Sequence, residues 1–156
     1  MKTAHVVLLI LTACIAGSFC YPAKLVWEFG HLEQRAHNSI TGTELQAWAT
    51  NLLAHYTNDT DLTVSGLGTN FPQQLAVLAP RMGPAPDIYV RVLGTDESFV
   101  QISWGGGMSG AAGFYVGSTN FAYKGMDNFT DYTNQSYEAY FHVWQPGVWF
   151  YRDYGR

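Results

Sequence analysis

Apolar residues recur with two different periods along this chain, and the change of period divides it. Leu45, Trp48, Ala49, Leu52, Leu53 and Tyr56 follow the i, i+3, i+4, i+7 spacing of one helix face. Thr43-Glu44-Leu45-Gln46 has the form of a capping box, in which the Thr hydroxyl accepts a backbone N–H and the Gln reaches back. With Asn58-Asp59 as the stop, the pattern predicts an amphipathic helix over about 43–57. Upstream, residues 21–42 form an approach segment, where Leu25, Phe29, Leu32 and Ala36 permit a helix that Gly30 weakens. Downstream, Leu62 to Leu67 is a weak extended piece, and Pro72 opens a short helical turn toward Leu78.

After Pro86 the side chains alternate. Ile88, Val90 and Val92 interleave with Tyr89, Arg91 and Leu93, and Gly94 to Ser98 supplies a turn before Phe99 to Trp104 resumes the pattern. Further strands are predicted from Ala111 to Val116, from Tyr137 to Trp144 and from Val148 to Tyr154. A helix followed by consecutive strands argues an α+β fold. The helix over about 43–57 then packs on an antiparallel sheet of roughly four to five strands spanning about 87–154. Gly83-Pro84-Ala85-Pro86 is the one stiff connector, and too little chain flanks it for two cores, so 43–156 reads as a single domain.

The start of the chain is an address. A short basic start leads into Val6-Val7-Leu8-Leu9-Ile10-Leu11, which fades through Thr12 to Ala16. That run suits a signal peptide over residues 1–20 and falls short of the ~20 residues that span a bilayer. Leu11-Thr12-Ala13-Cys14 resembles the bacterial lipobox. The resemblance implies a cut before Cys14 and a lipid on its thiol, so that contact with a membrane runs only through that anchor. Ala16-Gly17-Ser18 and Ser18-Phe19-Cys20 offer ordinary secretory cleavage instead. Either route exports the protein, to the cell envelope as a lipoprotein or to the exterior as a secreted chain.

Composition narrows the function classes. Of 156 residues, 47% are hydrophobic and 13% charged, about half the usual charged share of ~25%, which excludes a disordered chain. The net charge is −4 and no cationic cluster occurs, so nucleic acid is not an expected partner. Cys14 and Cys20 are the two cysteines; cleavage leaves no disulfide and no thiolate metal site. Asn58, Asn128 and Asn134 begin N-x-[ST] triplets, glycan acceptors only in a eukaryotic secretory route.

Candidate chemistry is sparse. Gly105, Gly107 and Gly110 satisfy G-x-G-x-x-G, but a strand-like segment follows where a dinucleotide site needs a helix. His31, His37, His55 and His142 lack a metal-binding spacing. Ser65, Ser103 and Ser109 lack a nucleophile elbow. No cofactor and no metal are expected.

More than half of the aromatic residues lie between Phe114 and Arg156. A tight hairpin about Pro146-Gly147 sets Trp144 opposite Trp149, His142 opposite Tyr151 and Tyr140 opposite Asp153, with Glu138 on the same side. Phe141, Val143 and Phe150 then point to the core. Pro-Gly favours a type II turn, which fits a two-residue hairpin poorly and leaves this register open. The row Glu138, Tyr140, His142, Trp144, Trp149, Tyr151 and Asp153 has three readings: a second core, a surface for a protein partner or self-association, and a stacking face for sugars. A fourth makes Glu138 and Asp153 a hydrolase carboxylate pair, which needs them about 5–9.5 Å apart across a cleft.

Leu45-Gln46-Ala47-Trp48-Ala49, Trp104-Gly105-Gly106-Gly107 and Trp144-Gln145-Pro146-Gly147-Val148-Trp149-Phe150 together resemble short uncharacterised exported bacterial proteins. The resemblance implies no activity, cofactor or catalytic residue. The expected function is an exported, non-catalytic envelope or extracellular protein acting through its aromatic surface. A carbohydrate-binding module and a small hydrolase are the alternatives.

Overall fold

The computed structural model describes residues 31–76, 78, 85–94, 96–105, 110–122 and 138–154. The signal segment with Cys14, the N-terminal half of the approach segment, Gly107, Ser109, Asn128 and Asn134 lie outside the described residues.

Among the described residues, two helices come first: α1 (Leu32–Ser39) and α2 (Gly42–His55). Strand β1 (Thr60–Thr63) and two single-turn helices follow, α3 (Val64–Leu67) and α4 (Gln73–Ala76), with a 3-10 turn at Gly68–Asn70 between them. The remaining strands are β2 (Asp87–Arg91), β3 (Phe99–Gly105), β4 (Ala111–Gly117), β5 (Glu138–Gln145) and β6 (Val148–Tyr154). They form one antiparallel sheet in the order β1-β2-β3-β4-β6-β5. The α+β class is as expected, with six strands rather than four to five. The extra strand is β1, whose Leu62 pairs with Ile88; of the extended piece expected from Leu62 to Leu67, Leu62 and Thr63 are strand, whereas Val64–Leu67 is helix α3, capped by the Thr63 side chain.

The cap of helix α2 lies two residues earlier than the sequence pattern suggested. Thr41, not Thr43, is the cap: its Oγ1 accepts the Glu44 N–H at 3.2 Å, and its own N–H donates to Glu44 Oε2 at 2.9 Å. The sequence holds two overlapping capping boxes, and packing selects the first. Gly42 lies so close to β5 that a Cβ there would sit 2.4 Å from Gln145 Oε1. Gln46, freed from capping, donates to the carbonyls of Gly117 at 3.0 Å and Pro146 at 3.2 Å. The helix start is thereby fastened to the sheet.

Leu45, Ala49 and Leu52 bury the α2 stripe, and Leu32, Ala36 and Ile40 bury a matching stripe on and just after α1. Both face one side of the sheet. Across it runs the row Leu62, Ile88, Ile102, Phe114, Phe150 and His142, each register partner of the next. The fully buried Trp104 and Phe114 meet edge to face at 6.1 Å, a geometry that suits the ring quadrupoles. The other side of the sheet carries a smaller cluster, with Tyr115, Tyr151 and Phe121 buried and Phe99, Phe141 and Trp149 packed against them.

The glycine-rich motif joins two strands, since Gly105 pairs with Ala111 in the β3–β4 hairpin. No helix follows it to receive a pyrophosphate, as the sequence suggested.

Candidate functional site

The last hairpin decides where the predicted row of residues goes. Pro146 and Gly147 form the turn, and Gln145 pairs with Val148. Gly147 has φ 81°, the left-handed value that the third residue of a type II turn requires. A type II turn twists against the strands, and the ladder accommodates it with a bulge between Val143 and Gln145. Trp144 is the extra residue. Val143, not Trp144, then faces Trp149; Phe141 faces Tyr151 and Ala139 faces Asp153.

A one-residue slip turns every side chain over, so the expected single row is split. Tyr140 and His142 share the helix-side face with Phe150 and Arg152 by register, and Glu138 falls in that set. Trp149, Tyr151 and Asp153 lie on the opposite face, where the sequence reading had placed all seven together. Phe141 and Val143, expected to point into the core, share that opposite face. Positions 138 and 153 of the proposed hydrolase pair therefore fall on opposite faces by register. The Glu138 side chain lies outside the described residues.

The opposite-face group is partly a second core. Tyr151 is buried, and its hydroxyl accepts a hydrogen bond from Gln101 Nε2 at 3.0 Å. Its ring lies 4.7 Å from Tyr115. Trp149 Nε1 donates to the Phe121 carbonyl at 3.4 Å. Asp153 Oδ1 is buried without a hydrogen-bond partner among the described residues, and this desolvation pushes the carboxyl above the ordinary aspartate range.

On the helix side, the hairpin meets α1 in a polar and aromatic junction. The His142 ring donates from Nδ1 to Glu33 Oε1. Glu33 also lies 3.9 Å from His37 Nε2, one helical turn on. The His37 ring sits 4.1 Å from Trp144, which in turn packs 5.5 Å from Phe114. The Arg152 guanidinium stands 6.0 Å from the Tyr140 ring centre. The sequence pattern singled out His37 only as a possible metal ligand and did not single out Glu33; their i, i+4 spacing was legible, their meeting with β5 was not. Among the described residues, no three His, Cys, Asp or Glu side chains are grouped to hold a metal ion.

The two edges of the sheet differ in kind. β1 is four residues long and flanked by Asp59. The Asp59 carboxylate accepts from the Val92 N–H at 2.9 Å and from the Tyr89 hydroxyl at 3.0 Å. These bonds, the backbone one foremost, hold its carboxyl below the ordinary aspartate value and raise the Tyr89 phenol. β5 is eight residues long, and its outer side pairs with no strand among the described residues. Tyr140 and Val143 on it are 46% and 44% exposed.

No described helix is long and apolar enough to cross a membrane. Comparison of the chain with protein-family models, with curated proteins and with solved structures finds no match.

Proposed function

We propose that this chain is an exported, non-catalytic binding protein that joins a second copy of itself edge to edge through β5. The observation that carries the reading is the contrast between the sheet's edges. Soluble proteins blunt an exposed edge by shortness, charge, Lys or Pro. β1 has shortness and charge, whereas Glu138 to Gln145 contains neither Lys nor Pro and places its one carboxylate at its end. An antiparallel pairing centred on Phe141 sets Tyr140 opposite His142 and Ala139 opposite Val143, with no like charges facing. Ladder hydrogen bonds then supply affinity, and the exposed Tyr140 and Val143 supply cross-strand contacts. Export rests on the apolar run from Val6 to Ala16, with Cys14 as the residue to be lipidated if the lipobox is used.

Sedimentation of the mature chain tests the association. The expected result is a mass of two chains, reduced to one by Tyr140→Lys with Val143→Lys while far-ultraviolet dichroism stays unchanged. A single-chain mass at every concentration overturns it. Intact mass from a bacterial host tests export. A chain beginning at Cys14 with added acyl mass is tethered, one beginning between Gly17 and Tyr21 is secreted, and an uncut chain in the cytosol overturns this part.

A further inference from the structure

Between α2 and the turn that follows α3 lies an open cleft of about 330 Å³, walled by Trp48, Asn51, His55, Tyr56 and Asn70 over Leu67. None of these residues belongs to the hairpin, so the cleft is independent of the association proposed above. Its volume falls at the lower end of small-molecule sites, which run from ~300 to ~1,000 Å³.

The walls are held in place. Trp48 Nε1 donates to the Asn70 carbonyl at 2.7 Å, and the indole meets Phe71 edge to face at 5.8 Å. These contacts fix the plane of the ring and tie α2 to the 3-10 turn. His55 Nδ1 donates to the Asn51 carbonyl at 2.7 Å, so the ring is held in the tautomer whose Nε2 accepts. Trp48, Leu52 and Tyr56 follow one another at helical spacing, so two aromatic rings stand along one side of the cleft.

Charge selects the ligand class. The lining contains no Lys, Arg, Asp or Glu, so no side-chain charge recognises a phosphate, a carboxylate or an ammonium group. What it presents is two carboxamides, an imidazole, a phenol and aromatic surface. Carboxamides both donate to and accept from hydroxyls, and flat aromatic surface suits the CH-rich faces of a pyranose. We infer that this cleft binds a neutral saccharide of one or two rings, stacked along Trp48 and Tyr56 and hydrogen-bonded by Asn51, Asn70 and His55.

The test is a nitrogen-15 correlation titration of the mature chain with cellobiose, maltose and diacetylchitobiose, and with glucose 6-phosphate as the charged control. Expected is a saturable shift of the Trp48 indole and of the Asn51 and Asn70 side-chain amides with at least one neutral sugar, and weaker binding of the control. Trp48 also packs in the core, so the variants are Asn51→Ala and His55→Ala, both at exposed positions. Each is expected to weaken binding about tenfold, the consequence of one lost hydrogen bond, with an unchanged melting temperature. No saturable shift with any of the three sugars overturns the inference. So does a saturable shift confined to Trp149 and Tyr140, or binding that both variants leave intact.

Discussion

His142 donates its Nδ1 hydrogen to the Glu33 carboxylate, so that β5 and α1, 109 residues apart in the chain, hold each other at the surface. The side chains are 50% and 23% exposed, which screens the pair and keeps its worth in the range of exposed ion pairs, ~0.2–1 kcal/mol. His142→Ala is therefore expected to lower global stability by less than about 1 kcal/mol. Its larger effect is local: amide exchange accelerates across Leu32–Ser39 and stays slow in β3. Equal acceleration in both elements argues against a local tie.

Capping offers a cleaner comparison, because two threonines compete for one role. Thr41→Ala removes the hydroxyl that receives the Glu44 N–H and is expected to cost about 1 kcal/mol in urea unfolding. Thr43→Ala leaves that cap in place and is expected to change stability by less than about 0.5 kcal/mol. The reverse order restores the cap that the local pattern suggested.

The bulge at Trp144 is open to chemical proof. In a chain with Cys14 and Cys20 replaced by Ser, Val143→Cys with Trp149→Cys places two thiols on directly paired residues, within disulfide reach. Oxidation is expected to link them quickly. Trp144→Cys with Trp149→Cys, the pair implied by an unbulged hairpin, is expected to stay reduced under the same conditions.

Acid separates carboxylates of opposite sign. Asp59 has a lowered folded value, so its contribution is present above the unfolded aspartate value of about 3.9 and is lost as pH falls through the depressed folded value. Asp153 has a raised value; its contribution is full below about 3.9 and is lost as pH rises through the folded value. Asp59→Asn is thus expected to lower the melting temperature at neutral pH and converge with the parent in acid. Asp153→Asn is expected to raise it at neutral pH and likewise converge. A melting curve for Asp153→Asn below the parent at neutral pH contradicts this sign.

Much of the fold was legible residue by residue. The Leu45, Ala49, Leu52 stripe marked α2, the alternation of Ile88 and Val90 marked β2, and Pro146-Gly147 marked the final turn. The candidate surface was not legible to the same degree. One extra residue in β5 exchanged the faces of Trp144 and Val143, and that bulge answers a turn whose hand conflicts with the sheet's twist. The meeting of Glu33 with His142 was not legible because the two lie 109 residues apart in the chain.

The order of residues by itself determined that α2 is a helix and that β2 to β6 are strands, because those states follow from periods of 3.6 and 2 set by neighbouring side chains. It also determined the α+β class, since strands without intervening helices pair as an antiparallel sheet. Tertiary structure alone decided which threonine caps α2, that β1 is a strand, and which face of the sheet each hairpin aromatic occupies. Each of these turns on a contact between residues far apart in the chain: Gly42 against Gln145, Leu62 beside Ile88, and Trp144 between His37 and Phe114. Local alternatives that differ by about 1 kcal/mol are resolved by packing energies several times larger, and packing exists only once the chain has folded.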